Sequence, residues 1–143
     1  MYQVERYHDI SCGHRVFGHE SKCAHLHGHN YRIHFTIEPD NRQLDLIGRV
    51  LDFSVIKERL CEWLENNWDH KMLIWVDDPY LDDLLDIDPD GVVPVEFNPT
   101  AENMAKHLVE DVAPLQLRGT GCVLVSCRVE ETRKCSATFK VTQ

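Results

Sequence analysis

Positive charge is scarce in this sequence: 15 lysines and arginines stand against 24 aspartates and glutamates, a formal net charge of −9 over 143 residues. A nucleic-acid groove or a surface for anionic membrane needs a positive field, so neither partner is expected. Long apolar runs are also missing. No stretch approaches the roughly 18 residues of a membrane span, and Met1 through Arg6 lack the basic-then-apolar order of a secretion signal. A cytoplasmic location is the expectation. Glycine and proline are few, 7 and 6, which sets aside low-complexity chains. The six cysteines (Cys12, Cys23, Cys61, Cys122, Cys127, Cys135) contain no C-x-x-C, so a zinc ribbon or thioredoxin-type site is not expected. A chain of this length closes a core without disulfide staples, and residues 1–143 read as one domain.

What is present is alternation. Across residues 27–38, Tyr31, Ile33, Phe35 and Ile37 alternate with Arg32, His34, Thr36 and Glu38, the period of a half-buried strand. The same parity puts His27 and His29 on the inward face. Val123, Val125, Cys127, Val129 and Glu131 share one face of a second strand, Ala137, Phe139 and Val141 suggest a third, and residues 2–16 are a weaker fourth. A helix is predicted at about 53–67, capped by Asp52 or Ser54, and another at about 100–112 behind Pro99 with Thr100 as N-cap. The acidic stretch from Asp77 to Gly91 reads as loop with at most one helical turn. Strands at both ends with helices between them point to an α+β layer, a four-stranded antiparallel sheet with two helices on one face.

The chemical signal is Lys22-Cys23-Ala24-His25-Leu26-His27-Gly28-His29. Catalytic zinc takes three protein ligands and keeps an open position. His27 and His29 supply two from one strand face, and His14, closing the N-terminal strand, is the best third. Cys12 or Cys23 as a fourth ligand is an open alternative, and it would make the site closed and structural. A thiol beside three imidazoles and a cation is a candidate base, which singles out Cys23; Asp69-His70 is a candidate acid–base pair. Glu131 either emerges at its strand end or grips the N–H/NH2 edge of a planar heterocycle. Asp86 to Phe97 fails as a calcium loop for want of a glutamate at its twelfth position. His8, His19, His25, His34 and His107 read as surface or structural residues.

Taken together, His14-Arg15, Lys22-Cys23 through Tyr31, Leu51-Asp52-Phe53, Asp69-His70, Asn98-Pro99-Thr100-Ala101-Glu102-Asn103 and Glu131-Thr132 resemble the 6-pyruvoyl-tetrahydropterin synthase family. Within it the chain is most similar to the bacterial 6-carboxy-tetrahydropterin synthases of queuosine biosynthesis. The resemblance implies a zinc cofactor (Zn²⁺) on His14, His27 and His29, catalytic Cys23, Asp69 and His70, and a pterin substrate held by Glu131 with Thr100 near the ring. It also implies the tunnelling fold, in which subunit sheets join into a barrel, and a homohexamer built as a dimer of trimers with sites between subunits. The implied substrate is 7,8-dihydroneopterin triphosphate. Three residues separate Cys23 from His27, as in the carboxy-forming enzymes. The pyruvoyl-forming activity and a non-catalytic zinc- or pterin-binding protein are the alternatives. Two features depart from the pattern: Cys12 adds a thiol near the proposed metal, and Trp75 to Phe97 is a long loop. With so acidic a chain, Lys22, Arg15, Lys71, Arg133 or Lys134 must serve the triphosphate.

Overall fold

The computed structural model describes residues 1–142. Among them six strands form one sheet: β1 (Val4–His14), β2 (His27–Pro39), β3 (Met72–Trp75), β4 (Val92–Val95), β5 (Cys122–Glu130) and β6 (Ser136–Lys140). Their spatial order is β4-β3-β1-β2-β5-β6. The four expected strands form the antiparallel block β1-β2-β5-β6, and the expected sheet was too small. Met72–Trp75 pairs in parallel with the end of β1, and Val92–Val95 pairs in parallel with β3. Both are four-residue apolar runs, too short to show alternation, and parallel strands buried in a sheet need not alternate. Pro94 is exposed on β4, an edge strand, where a missing N–H breaks no ladder. The long loop after Trp75 is therefore a crossover, carrying α3 (Leu81–Ile87) where one turn at most was expected.

Two longer helical stretches cover the inward face. The first runs from Phe53 to Asn67 as α1 (Phe53–Ile56), a π-helical turn (Lys57–Cys61) and α2 (Glu62–Asn67). Its cap is Asp52, which accepts the Ser54 N–H at 2.9 Å. The second runs as α4 (Ala101–His107), a π-helical turn (Leu108–Val112) and α5 (Ala113–Gln116), four residues beyond the predicted end. Thr100 caps it by accepting the Asn103 N–H. Ile56, Leu60 and Leu64 from the first stretch and Met104, Leu108 and Val112 from the second meet Tyr31, Ile33, Phe35 and Ile37 of β2 in one buried cluster. No helix of the described residues is long and apolar enough to cross a membrane.

One parity expectation needs correction. The β2–β5 register shifts between Thr36 and Ile37, which pair with Ser126 and Leu124, so Val125 is an extra residue. This bulge resets the alternation: Cys122 and Leu124 are buried with Cys127 and Val129, while Val123 is exposed.

Candidate metal centre

Register brings the imidazoles together. In the antiparallel β1–β2 pair, His14 lies directly opposite His27 and Cys12 opposite His29. Between these pairs Gly13 faces Gly28, and a Cβ on Gly28 would stand 3.1 Å from the Cys12 carbonyl oxygen. The small residue thus lets the two strands close up beside the histidines. One donor atom from each of His14, His27 and His29 lies within 4.8 Å of the other two.

The second partners of the rings decide what the site offers. His14 Nδ1 lies 2.6 Å from the Pro99 carbonyl, and His27 Nδ1 lies 2.7 Å from the His25 carbonyl. A carbonyl only accepts, so each Nδ1 carries the proton and each Nε2 presents a lone pair. Those two Nε2 atoms face each other at 3.0 Å. Two lone pairs that close repel unless a proton or a cation lies between them. His29 Nε2 is buried beside them and has no hydrogen-bond partner. Burial pushes the His14 pKa below the ordinary histidine value, partly offset by the Pro99 carbonyl, and burial lowers that of His29 against the opposing pull of Glu131. Neutral imidazoles are the form that ligates a metal. Tetrahedral zinc at about 2.0–2.1 Å sets ligand nitrogens roughly 3.3 Å apart, so the donor set fits that ion.

Glu131 borders this group. Its Oε1 stands 3.4 Å from His14 Nε2 and 3.3 Å from His29 Nε2. It also lines a cleft of about 450 Å³ with Ala101, Glu102, Cys135 and Ala137. Tyr31, which lies under the same face with its hydroxyl 3.3 Å from His14 Nδ1, was not singled out as a site residue. Its parity with His27 and His29 was the available signal.

Cys12 does not join the donor group among the described residues. Its thiol pKa is pushed up to about 12, by burial first and by Asp69 second, so it is a neutral core group. Cys23 lies in a short 3₁₀ turn (Lys22–Ala24), half-buried, and its carbonyl accepts the Val16 N–H at 2.9 Å. That turn is held by Arg15, which donates to the Ala24 carbonyl at 2.6 Å and to Asp78 Oδ2 at 2.8 Å, with its guanidinium 3.7 Å from the Tyr80 ring centroid. Both Arg15 and Asp78 are buried. Arg15 is thereby removed from the candidate phosphate cations. Lys71 donates to the Asp90 carbonyl at 2.7 Å, while Lys22, Arg133 and Lys134 are exposed.

Asp69 and His70 form the expected pair, Nδ1 to Oδ2 at 2.9 Å. Burial opposes ionisation of Asp69, but hydrogen bonds from the Ser11 N–H and His70 outweigh it and hold the carboxyl below its usual range. His70 adopts a left-handed backbone with φ of 60°, a costly choice for a residue with a Cβ. It is exposed and lines a cleft of about 640 Å³ with Ser11, Asn30, Arg32 and Arg133. Ser11 and Asn30 alternate with Cys12 and His29, so this cleft opens on the opposite face of the sheet from the imidazole group. Thr100, engaged as a cap acceptor, stands one residue past the carbonyl that His14 uses.

Two of the histidines read as surface or structural residues pair with carboxylates: His8 with Glu65 at 2.6 Å, and His107 with Asp111 at 2.9 Å across one helical turn.

The sequence model of the family described as 6-pyruvoyl tetrahydropterin synthase matches residues 3–141. The chain belongs to the 6-pyruvoyl tetrahydropterin synthase family. A family relative from Rickettsia typhi, named 6-carboxy-5,6,7,8-tetrahydropterin synthase, is 32% identical over 136 residues, 94% of this chain and 97% of that protein. One of the same name from Aquifex aeolicus is 38% identical over 94 residues, 63% of this chain and 56% of its own. Among solved structures, an uncharacterized protein from Wolinella succinogenes superposes with a TM-score of 0.84 at 25% identity, covering 97% of each chain. The 6-pyruvoyl tetrahydropterin synthase of Caenorhabditis elegans gives a TM-score of 0.67 at 24% identity, over 99% of this chain and 96% of that one, a likeness of fold alone.

Proposed function

We propose that this protein is a zinc-dependent carbon–carbon lyase. It would convert 7,8-dihydroneopterin triphosphate into 6-carboxy-5,6,7,8-tetrahydropterin, acetaldehyde and triphosphate, in the cytoplasm and within queuosine biosynthesis. The observation that carries the reading is the pair of Nε2 lone pairs facing each other at 3.0 Å beside the orphan His29 Nε2. The names of the relatives support the substrate class.

His14, His27 and His29 would hold the ion, which when bound supplies Lewis-acid polarisation of hydroxyls on the substrate side chain. Glu131, already at the edge of that group, would accept two hydrogen bonds from the pterin N–H/NH2 edge, with Thr100 close to the ring. Cys23 would act as thiolate base, removing a side-chain proton. His70, oriented by Asp69, would hold and return a proton from the other side of the substrate. Since His70 lies on the opposite sheet face from the imidazole group, a complete site on this reading draws His70 from a neighbouring subunit. That agrees with a homohexamer, a dimer of trimers whose sheets join into a barrel.

The test is incubation of zinc-loaded protein with 7,8-dihydroneopterin triphosphate and mass spectrometry of the products. Acetaldehyde with 6-carboxy-tetrahydropterin is expected. A pyruvoyl product would move the chain to the sister activity, and no conversion by metal-replete protein would refute the lyase reading. Cys23→Ala is expected to keep zinc and lose most turnover; loss of zinc in that variant would sink the role of Cys23 as base.

A further inference from the structure

Asn98 takes no part in that chemistry, yet both ends of its side-chain amide are engaged. Oδ1 accepts the Phe17 N–H at 3.1 Å, and Nδ2 donates to the Phe17 carbonyl at 2.9 Å. A side chain that pairs with both backbone groups of one residue does the work of a neighbouring strand. It joins the segment leaving β1, three residues past His14, to the segment entering α4. The backbone of Asn98 is restrained as well, its carbonyl accepting the Thr100 N–H at 2.7 Å and Asn103 Nδ2 at 3.0 Å. Between these anchors sits Pro99, whose ring fixes φ and whose carbonyl receives His14 Nδ1–H at 2.6 Å.

We infer that Asn98 is a positioning residue for metal binding. Its amide clamp on Phe17 holds the Pro99 carbonyl against His14, which fixes the His14 tautomer and leaves Nε2 free for the ion. The inference rests on reading the three imidazoles as a zinc site. Partners beyond the ligands typically set metal affinity by about 10- to 100-fold; Asn98 acts through one intervening peptide, so the low end applies.

The experiment is a zinc dissociation constant by chelator competition on the full-length protein, for wild type, Asn98→Ala and Asn98→Asp. The aspartate keeps an acceptor for the Phe17 N–H and loses the donor to its carbonyl, and it carries the test if the alanine variant does not fold. Unfolding in chelator verifies that each metal-free variant is folded. Both variants are expected to bind one zinc per chain about tenfold more weakly. In the metal-free protein, nitrogen shifts of His14 should move from the single Nδ1–H tautomer of wild type to a mixture. Wild-type affinity and tautomer in the variants would overturn the inference alone. A wild type that binds no zinc would overturn the zinc reading and this inference with it.

Discussion

Replacing Asp78 by alanine leaves the Arg15 guanidinium buried with its charged partner gone. The Asp78 side chain is 0% and the Arg15 side chain 10% exposed, so water cannot substitute for the lost carboxylate. Removing one member of a buried ion pair costs about 3–5 kcal/mol. Three further contacts bear on where in that range the effect falls. The Ala24 carbonyl and the Tyr80 face still engage Arg15 and soften the loss. Against that, Asp78 Oδ1 also accepts the Tyr80 N–H at 2.9 Å, a bond worth about 1 kcal/mol. The expected cost of Asp78→Ala is therefore about 4 kcal/mol, read from the guanidinium denaturation midpoint of metal-free protein at fixed concentration. The double variant Arg15→Met with Asp78→Leu removes both charges and is expected to recover most of that loss, since apolar replacements of buried pairs are often neutral. A single-variant cost below about 1 kcal/mol would show Arg15 to be solvated, and its exclusion from phosphate binding would fall with it.

The isosteric Glu131→Gln is expected to leave zinc stoichiometry intact and to weaken pterin binding by about 2 kcal/mol, measured by calorimetry, because one strong charge-assisted bond is lost. Metal loss in that variant would mark Glu131 as a ligand instead. Thr100→Ala should cost about 1 kcal/mol in thermal unfolding, and Thr100→Ser should restore it, since the cap needs only the hydroxyl. The folded-state pKa of Asp69 is depressed, so its stabilising share is present above the unfolded value near 3.9 and is lost as pH falls through the folded one. Asp69→Asn should accordingly flatten the acid limb of a stability-against-pH curve below about pH 4, and an unchanged limb would count against the Ser11 and His70 bonds.

The antiparallel half of the sheet was readable because Tyr31 to Ile37 alternate over a strand long enough to establish parity, and that parity carried His27 and His29 to the correct face. His14 followed from closing the preceding strand. The two parallel strands were not readable: Met72–Trp75 and Val92–Val95 are short unbroken apolar runs, and only their partners make them strands. The bulge at Val125 is likewise invisible without β2 beside it. Arg15 illustrates a third kind of limit. Its residue type fits phosphate binding, but its use is settled by Asp78, 63 positions away. The proton positions on His14 and His27 depend on the carbonyls of Pro99 and His25, and backbone atoms carry no sequence signature.

The extra residue in β5 has a consequence for how the strand tolerates changes of length. With Val125 present, Cys122, Leu124, Cys127 and Val129 all reach the interior and Glu131 arrives beside the imidazoles. Deleting Val125 would leave a plain alternation with the same residues facing inward, at the cost of the local twist that a bulge provides. Deleting Arg128 instead would turn one part of the strand over, exposing either Val129 and the approach to Glu131 or Cys127 and Leu124. Deletion in β5 is thus tolerable at Val125 and damaging near Glu131, and at the bulge the strand can lose a residue without losing the site.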